Sequence, residues 1–575
     1  MKLIFRGIAC FVVAIASLTL HAKSDNDSPV LRKTSYGPVQ GVDDASGTGT
    51  FYWKGVPFAK PPTGALRWKA PVEPDAWTGT RNANAFGNAC VQSGRMYGPG
   101  ANNRYDETIA TTLNKAVGSE DCLTLNIWRP ANAQTRLPVI LFIYGGSHIS
   151  GYSADPIYDG AKLARTANAV VVTANYRLGI FGWFGLAQLK EGNNALDDSG
   201  NFGTLDNLQA LKFIKRNIEN FGGDPDNVTL IGESAGAINV YALMVSPLVV
   251  NAKEKLFHKA IPLSGGISLS KDLPPGSSPL LLSTESMLAQ GEALLNAALI
   301  ADGKASDADA AKAYVAAQTK TQIADYMRSK DPGALLDILA TKVNAGQRRS
   351  SPIHDGVVVS KDPIASIAAG DYMKVPVWAS NTRDEGKLFG SFFVLFGGPP
   401  GLIGDEATRF MRMKNFNPDA EGSLKLEAVV NDAYLPVNKP ASGYNAKSEL
   451  LSSIIFLRSR DSVLNALKAQ QPKVWHSQFN WDKEASPWNE VFGAAHFFEM
   501  PFIFGNFGPS LISNVIGGTA NEKGRLALSN AMMNTVGAFA RNGDPNNASL
   551  GVKWAPWPKK LFFDATLSET NISAE

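Results

Sequence analysis

The chain has 575 residues, 44% of them hydrophobic, which is enough to bury a large core and leaves several domains possible on length alone. Its 55 basic and 52 acidic residues nearly cancel to a formal +3, without a long run of either sign. That balance gives no electrostatic footprint for nucleic acid or an anionic membrane surface, so the substrate must be sought in local motifs.

At the start, Lys2 and Arg6 precede an apolar stretch from Gly7 to Leu20, and Leu20-His21-Ala22 then gives way to Lys23-Ser24-Asp25. This order reads as a secretory signal over residues 1–22, cut after Ala22. An apolar stretch of about 14 residues falls short of the roughly 20 that span a bilayer, and no later stretch is long enough. The expected mature chain, 23–575, is secreted or periplasmic and lacks a membrane span. It reads as one large domain, because internal repeats and low-complexity linkers are absent. Export removes Cys10 and leaves Cys90 and Cys122, and two thiols in an oxidising compartment suggest one disulfide.

Val139 to Tyr144 and Ala169 to Ala174 are apolar runs that read as buried strands. Between the second run and a third, Val228 to Ile231, the segment Thr204 to Phe221 places Leu205, Leu208, Leu211, Ile214 and Ile218 at helical spacing. Strand, helix and strand in that order predict a parallel crossover, hence an α/β chain with a mostly parallel sheet between helices. Residues 281 to 345, rich in Ala, Leu, Asp and Lys, read as surface helices and as a candidate cap over the site.

Gly232-Glu233-Ser234-Ala235-Gly236 follows the third strand directly and precedes a helix-compatible run, Ala237 to Val245. G-x-S-x-G in that context is the nucleophile elbow of α/β-hydrolases, in which a sharp strand-to-helix turn exposes the serine. A serine hydroxyl needs a base to take its proton and a carboxylate to orient that base. In this fold the base comes last along the chain, which admits His496, and His476 if the acid lies earlier. Asp384 and Glu385 follow the strand-like Val375 to Ala379, and spacing does not choose between them.

The motifs together resemble type-B carboxylesterases, the family of carboxylesterases, cholinesterases and para-nitrobenzyl esterases. The resemblance rests on Gly55 through Trp68, Glu120 to Asn126, Asn175 to Gly179, Phe221 through Gly236 and Phe539 to Asn546, and it covers most of the mature chain. It implies an α/β-hydrolase fold with helical insertions and a Ser234, Glu385, His496 triad. It also implies a Cys90–Cys122 bridge and a supporting buried network through Ser264 and Glu499. The implied oxyanion donors are the amides of Gly146, Ser147 and Ala235. Here the chain departs from the resemblance, because Tyr144-Gly145-Gly146-Ser147-His148 has Ser147 where a third glycine is usual. His148 has two readings, a structural role or a contact to a polar substrate group. The segment between Cys90 and Cys122 has no Trp, and Leu388 stands where cholinesterases carry a cation-binding aromatic, which disfavours choline esters.

The expected activity is hydrolysis of a small-molecule carboxylic ester through an acyl-enzyme, with no metal or organic cofactor and no nucleic-acid partner; oligomeric state is left open. Two alternatives stand beside it. One is the same machinery acting on amides, carbamates, lipids or polyesters, and the other is a non-catalytic binding protein on the same scaffold.

Overall fold

The computed structural model describes residues 28–273, 279–344, 349–420, 422 and 424–575, and the expected signal at 1–22 lies outside them. One sheet of eleven strands collects segments from Val42 to Ala574. In chain order they are β1 (Val42–Asp44), β2 (Thr50–Pro57), β3 (Thr124–Pro130), β4 (Leu137–Ile143), β5 (Val170–Ala174) and β6 (Gly223–Glu233). There follow β7 (Lys259–Leu263), β8 (Val377–Thr382), β9 (Val474–Phe479), β10 (Lys560–Phe563) and β11 (Ser573–Ala574). The spatial order is β11-β10-β9-β8-β7-β6-β4-β5-β3-β2-β1.

All pairs from β5 through β4 to β10 are parallel, and the antiparallel pairs sit at the two ends. Every residue of β4, β5, β7 and β8 is buried, as parallel strands covered on both faces by helices require. The expected crossover is present: α1 (Phe202–Asn217) links β5 to β6, which lie on either side of β4. The predicted helix after the serine is α2 (Ala235–Met244).

Helices α3 (Thr284–Ala301), α4 (Ala308–Ala316), α5 (Lys320–Ser329) and α6 (Pro332–Lys342) form the expected helical insertion. They do not roof the site. Their apolar residues Leu294, Leu299, Met327 and Leu335 build a separate cluster with Trp68, Phe181 and Phe184, and no described residue from 281 to 345 lines the main cavity. The cavity walls come instead from 388–413, from 488–512 and from the loop after Cys90.

That loop is held by a disulfide between Cys90 and Cys122, with Cα atoms 5.0 Å apart and both residues buried. It carries Arg95, Met96, Tyr97 and Tyr105 to the cavity wall. Closing 32 residues of chain contributes about 3–4 kcal/mol in the chain-entropy account. Unreduced, denatured protein treated with a thiol alkylator is therefore expected to keep Cys90 and Cys122 unmodified by intact mass. Two alkylated thiols would contradict the bridge.

Candidate active site

Parallel strands point their C-terminal ends to one edge of the sheet, and ligands in such sheets bind outside that edge. There β4 runs into Gly145–His148, β6 into Ser234, β7 into Ser264 and β8 into Glu385. His496 arrives on the chain that follows β9. Residues far apart in sequence are thus neighbours because five adjacent parallel strands stop at one level.

Ser234 sits at the turn between β6 and α2 with φ 56° and ψ −120°, a region that a non-glycine residue rarely occupies. The flanking glycines make the turn possible. A Cβ on Gly232 would lie 2.3 Å from the Gly236 carbonyl oxygen, and one on Gly236 would lie 2.0 Å from that of Ile143. The turn leaves Ser234 half-buried at the cavity floor while its neighbours in the motif are buried.

His496 and Ser234 line the same cavity, of about 390 Å³. Behind the ring, His496 Nδ1 lies 2.5 Å from Glu385 Oε2. The other oxygen of Glu385 accepts from Asn381 Nδ2 at 2.9 Å and from the Thr382 amide at 3.0 Å. Complete burial pushes the Glu385 carboxyl up, but His496, Asn381 and Ser264 outweigh it and hold the group below its ordinary value, ionised. Asp384 points elsewhere: its Oδ2 lies 2.7 Å from Arg383 Nη2 and accepts the Ala494 amide at 3.1 Å. It therefore fastens the loop that carries His496. His476 is buried within β9, 3.5 Å from Arg460 Nη1, and burial and that arginine push its pKa well down. Neither His476 nor His258 nor His354 lines the cavity.

Ser264 donates to Glu499 Oε1 at 3.1 Å. Reasoning from sequence missed Glu233, which stood inside the serine motif as an unspecified position. Its Oε1 lies 3.1 Å from His496 Nε2, too poorly aligned for a hydrogen bond, and has no other partner among the described residues. Burial, Glu499 and Glu385 push the Glu233 carboxyl well up, and burial and Glu385 push Glu499 to about 8. Asn381 was missed as well, although it lies only four residues before Glu385.

A folded-state pKa near 8 for Glu499, against 4.5 when exposed, means that the fold keeps a proton the unfolded chain has released. Stability must then fall as pH rises through that interval. Glu499→Gln removes this proton linkage, so melting temperatures taken between about pH 5 and 8 should decline less steeply in the variant. Identical slopes would contradict the assignment.

Gly146, Ser147 and His148 all have positive φ, of 100°, 56° and 61°. The glycine requirement falls on Gly146, where a Cβ would lie 2.1 Å from the Ser150 carbonyl oxygen. Ser147 adopts the left-handed conformation at a cost of roughly 1–2 kcal/mol, and the loop keeps its turn without a third glycine. The amides of Gly146, Ser147 and Ala235 meet no acceptor among the described residues. His148 is buried with its ring edge-on to Trp183 at 4.7 Å, and it does not line the cavity. Burial pushes its pKa down to about 3 against the opposing Ala235 backbone and Asn239 side chain, so the ring is neutral, and its place outside the cavity favours the structural reading over a substrate contact. The Asn175–Gly179 motif braces this loop: Tyr176 Oη donates to the Tyr144 carbonyl at 2.7 Å and the Gly179 amide to the His148 carbonyl at 2.7 Å.

The sheet order and the serine turn define an α/β-hydrolase, and comparison with known proteins agrees. The carboxylesterase family pattern matches residues 28–571. The chain is 30% identical to the para-nitrobenzyl esterase of Bacillus subtilis over 91% of both chains. It is 31% identical to the fumonisin B1 esterase of Sphingopyxis macrogoltabida over 96% of this chain and 88% of that one. Among solved structures, a Geobacillus stearothermophilus carboxylesterase superposes with a TM-score of 0.68 at 29% identity, covering 95% of this chain and 98% of its own. The chain belongs to the carboxylesterase family and is an enzyme of the α/β-hydrolase fold. No helix among the described residues is long and apolar enough to cross a membrane.

Proposed function

We propose that the protein is a serine carboxylic-ester hydrolase in which Ser234 is the nucleophile, His496 the general base and Glu385 the acid that orients it. The observation that carries this reading is the buried 2.5 Å contact between Glu385 and His496 behind a ring whose cavity also exposes Ser234. Ser234 Oγ attacks the ester carbonyl while His496 Nε2 takes its proton, and the Gly146, Ser147 and Ala235 amides receive the oxyanion. The imidazolium gives that proton to the departing alcohol. Water, deprotonated by the same nitrogen, then attacks the acyl-enzyme and releases the acid.

Glu385 stays ionised throughout and stabilises the imidazolium, while Asn381 and the Thr382 amide keep its second oxygen from turning away. No metal or organic cofactor enters this scheme. The mature chain acts as one large catalytic domain after removal of the exported signal. Similarity to enzymes named for para-nitrobenzyl esters and fumonisin B1 supports small esters as the substrate class. A fluorophosphonate probe tests the nucleophile: one label per chain is expected, on the peptide containing Ser234, and a label elsewhere would overturn the assignment.

A further inference from the structure

The cavity carries a charge pattern that hydrolysis of a neutral ester does not use. Helix α7 (Glu406–Lys414) turns Glu406, Arg409, Arg412 and Met413 toward it, a spacing that shares one helix face. Glu406 is engaged: its Oε1 accepts the Met96 amide at 2.7 Å and its Oε2 lies 3.6 Å from Arg95 Nη1. Arg409 and Arg412 form no ion pair among the described residues. Arg409 Nη1 donates to the Gly404 carbonyl at 2.6 Å and Arg412 Nη1 to the Ile403 carbonyl at 3.2 Å. A guanidinium has five N–H donors in a rigid fork, so most of each fork is uncommitted, on side chains that are half-buried in the wall.

The acidic groups nearby do not cancel these charges. Asp405 lies close enough to Arg409 to feel its charge, but it is exposed and spends Oδ1 on the Thr408 amide as the cap of α7. Glu233 shares the cavity, but burial with Glu499 and Glu385 pushes its carboxyl well up. Burial pushes Asp155 only to about 6, so it stays largely ionised at neutral pH, but its Oδ1 accepts the Ile157 amide and neither arginine of α7 is among the groups that shift it. The α7 side of the pocket is left cationic. Tyr97, Phe389, Phe392 and Trp488 do give the cavity the aromatic faces that the absence of Trp between Cys90 and Cys122 argued against, yet two guanidinium groups among them repel a quaternary ammonium.

We propose, resting on the ester-hydrolase reading above, that the preferred substrate carries a free carboxylate besides its scissile ester, and that Arg409 and Arg412 receive this carboxylate while Ser234 attacks the ester carbonyl. Arginine forks match a carboxylate in two parallel N–H···O bonds, and in a pocket sheltered from water such charge-assisted bonds are strong. The second carboxylate passes through both acyl-transfer steps unchanged, so the products are an alcohol and an acid of which one bears it.

Ethyl hexanoate and monoethyl adipate differ by a terminal methyl exchanged for a carboxylate, and ethanol release from each by the intact protein gives two values of kcat/KM. The wild type is expected to favour the adipate, and the preference should shrink as ionic strength rises. Arg409→Gln and Arg412→Gln should each lower the adipate-to-hexanoate ratio by about tenfold or more, the size expected for a lost charged hydrogen bond. Salt dependence in the wild type gives a second reading that does not require a folded variant. Hydrolysis of both esters at a ratio insensitive to salt and to either substitution would overturn the inference and leave the esterase reading intact. Hydrolysis of neither, together with no fluorophosphonate label on Ser234, would overturn both.

Discussion

Ser234→Ala is expected to lower ester hydrolysis by about 10⁴-fold or more, with the fold unchanged by circular dichroism. The hydroxyl is the proposed covalent centre, and its removal leaves only binding and the oxyanion amides to speed attack by water. Alanine is tolerable in the turn, since the Ser234 backbone is held by its own amide donating to the Leu263 carbonyl at 2.9 Å and by Gly232 and Gly236 packed against each other. The strain of the φ 56° conformation is then stored in the variant as in the wild type. Release of acid from a small ester, followed over hours with an active-site count from the fluorophosphonate label, measures the effect. Variant activity within about tenfold of the wild type would sink the assignment of the nucleophile.

Glu385→Gln is the second large effect, with an expected loss of about three to four powers of ten in kcat. The glutamine would keep its shape and could still meet Asn381 and the Thr382 amide. Toward His496, however, it offers either a neutral oxygen or an amide N–H, and the latter demands the wrong tautomer of the ring. The imidazolium formed during attack also loses a buried counter-charge 2.5 Å away. Asp384→Asn, one residue earlier, should cost about tenfold or less, because Asp384 meets Arg383 and the Ala494 amide and does not touch His496. Measured side by side with both variants folded, the reverse order of damage would show that the acid has been assigned to the wrong neighbour.

The pair illustrates what a sequence can and cannot specify. Spacing nominates Asp384 and Glu385 equally, since both follow a strand that ends at the active edge; the resemblance to type-B carboxylesterases selects Glu385. The physical difference between them is the direction of a side chain. A 3₁₀ segment, Glu385–Phe396, begins at Glu385, whose side chain is completely buried, while Asp384 just before it is only half-buried. His496 and His476 divide in the same way: one lies in a loop with its ring open to the cavity, the other inside a strand against Arg460. Ser147 shows the converse, because the serine that stands where a third glycine is usual still adopts a left-handed backbone.

By itself, the sequence determined the elements whose signals are local: apolar runs long enough for parallel strands, the helical spacing of residues 204 to 218, the glycines that permit the serine turn, and two cysteines available to pair. Those are properties of neighbouring residues, and the backbone expresses them wherever they occur. Only the tertiary structure decided what depends on the meeting of distant segments. It placed Glu233 beside His496, joined Ser264 to Glu499 across 235 positions, and sent the helices of 284–342 away from the site. It also brought Arg409 and Arg412 to the cavity wall beside the loop tied by Cys90 and Cys122, where Glu406 accepts the Met96 amide. Helical spacing marks which residues share a face, but whether that face meets solvent, core or cavity is set by packing against chain more than a hundred residues away.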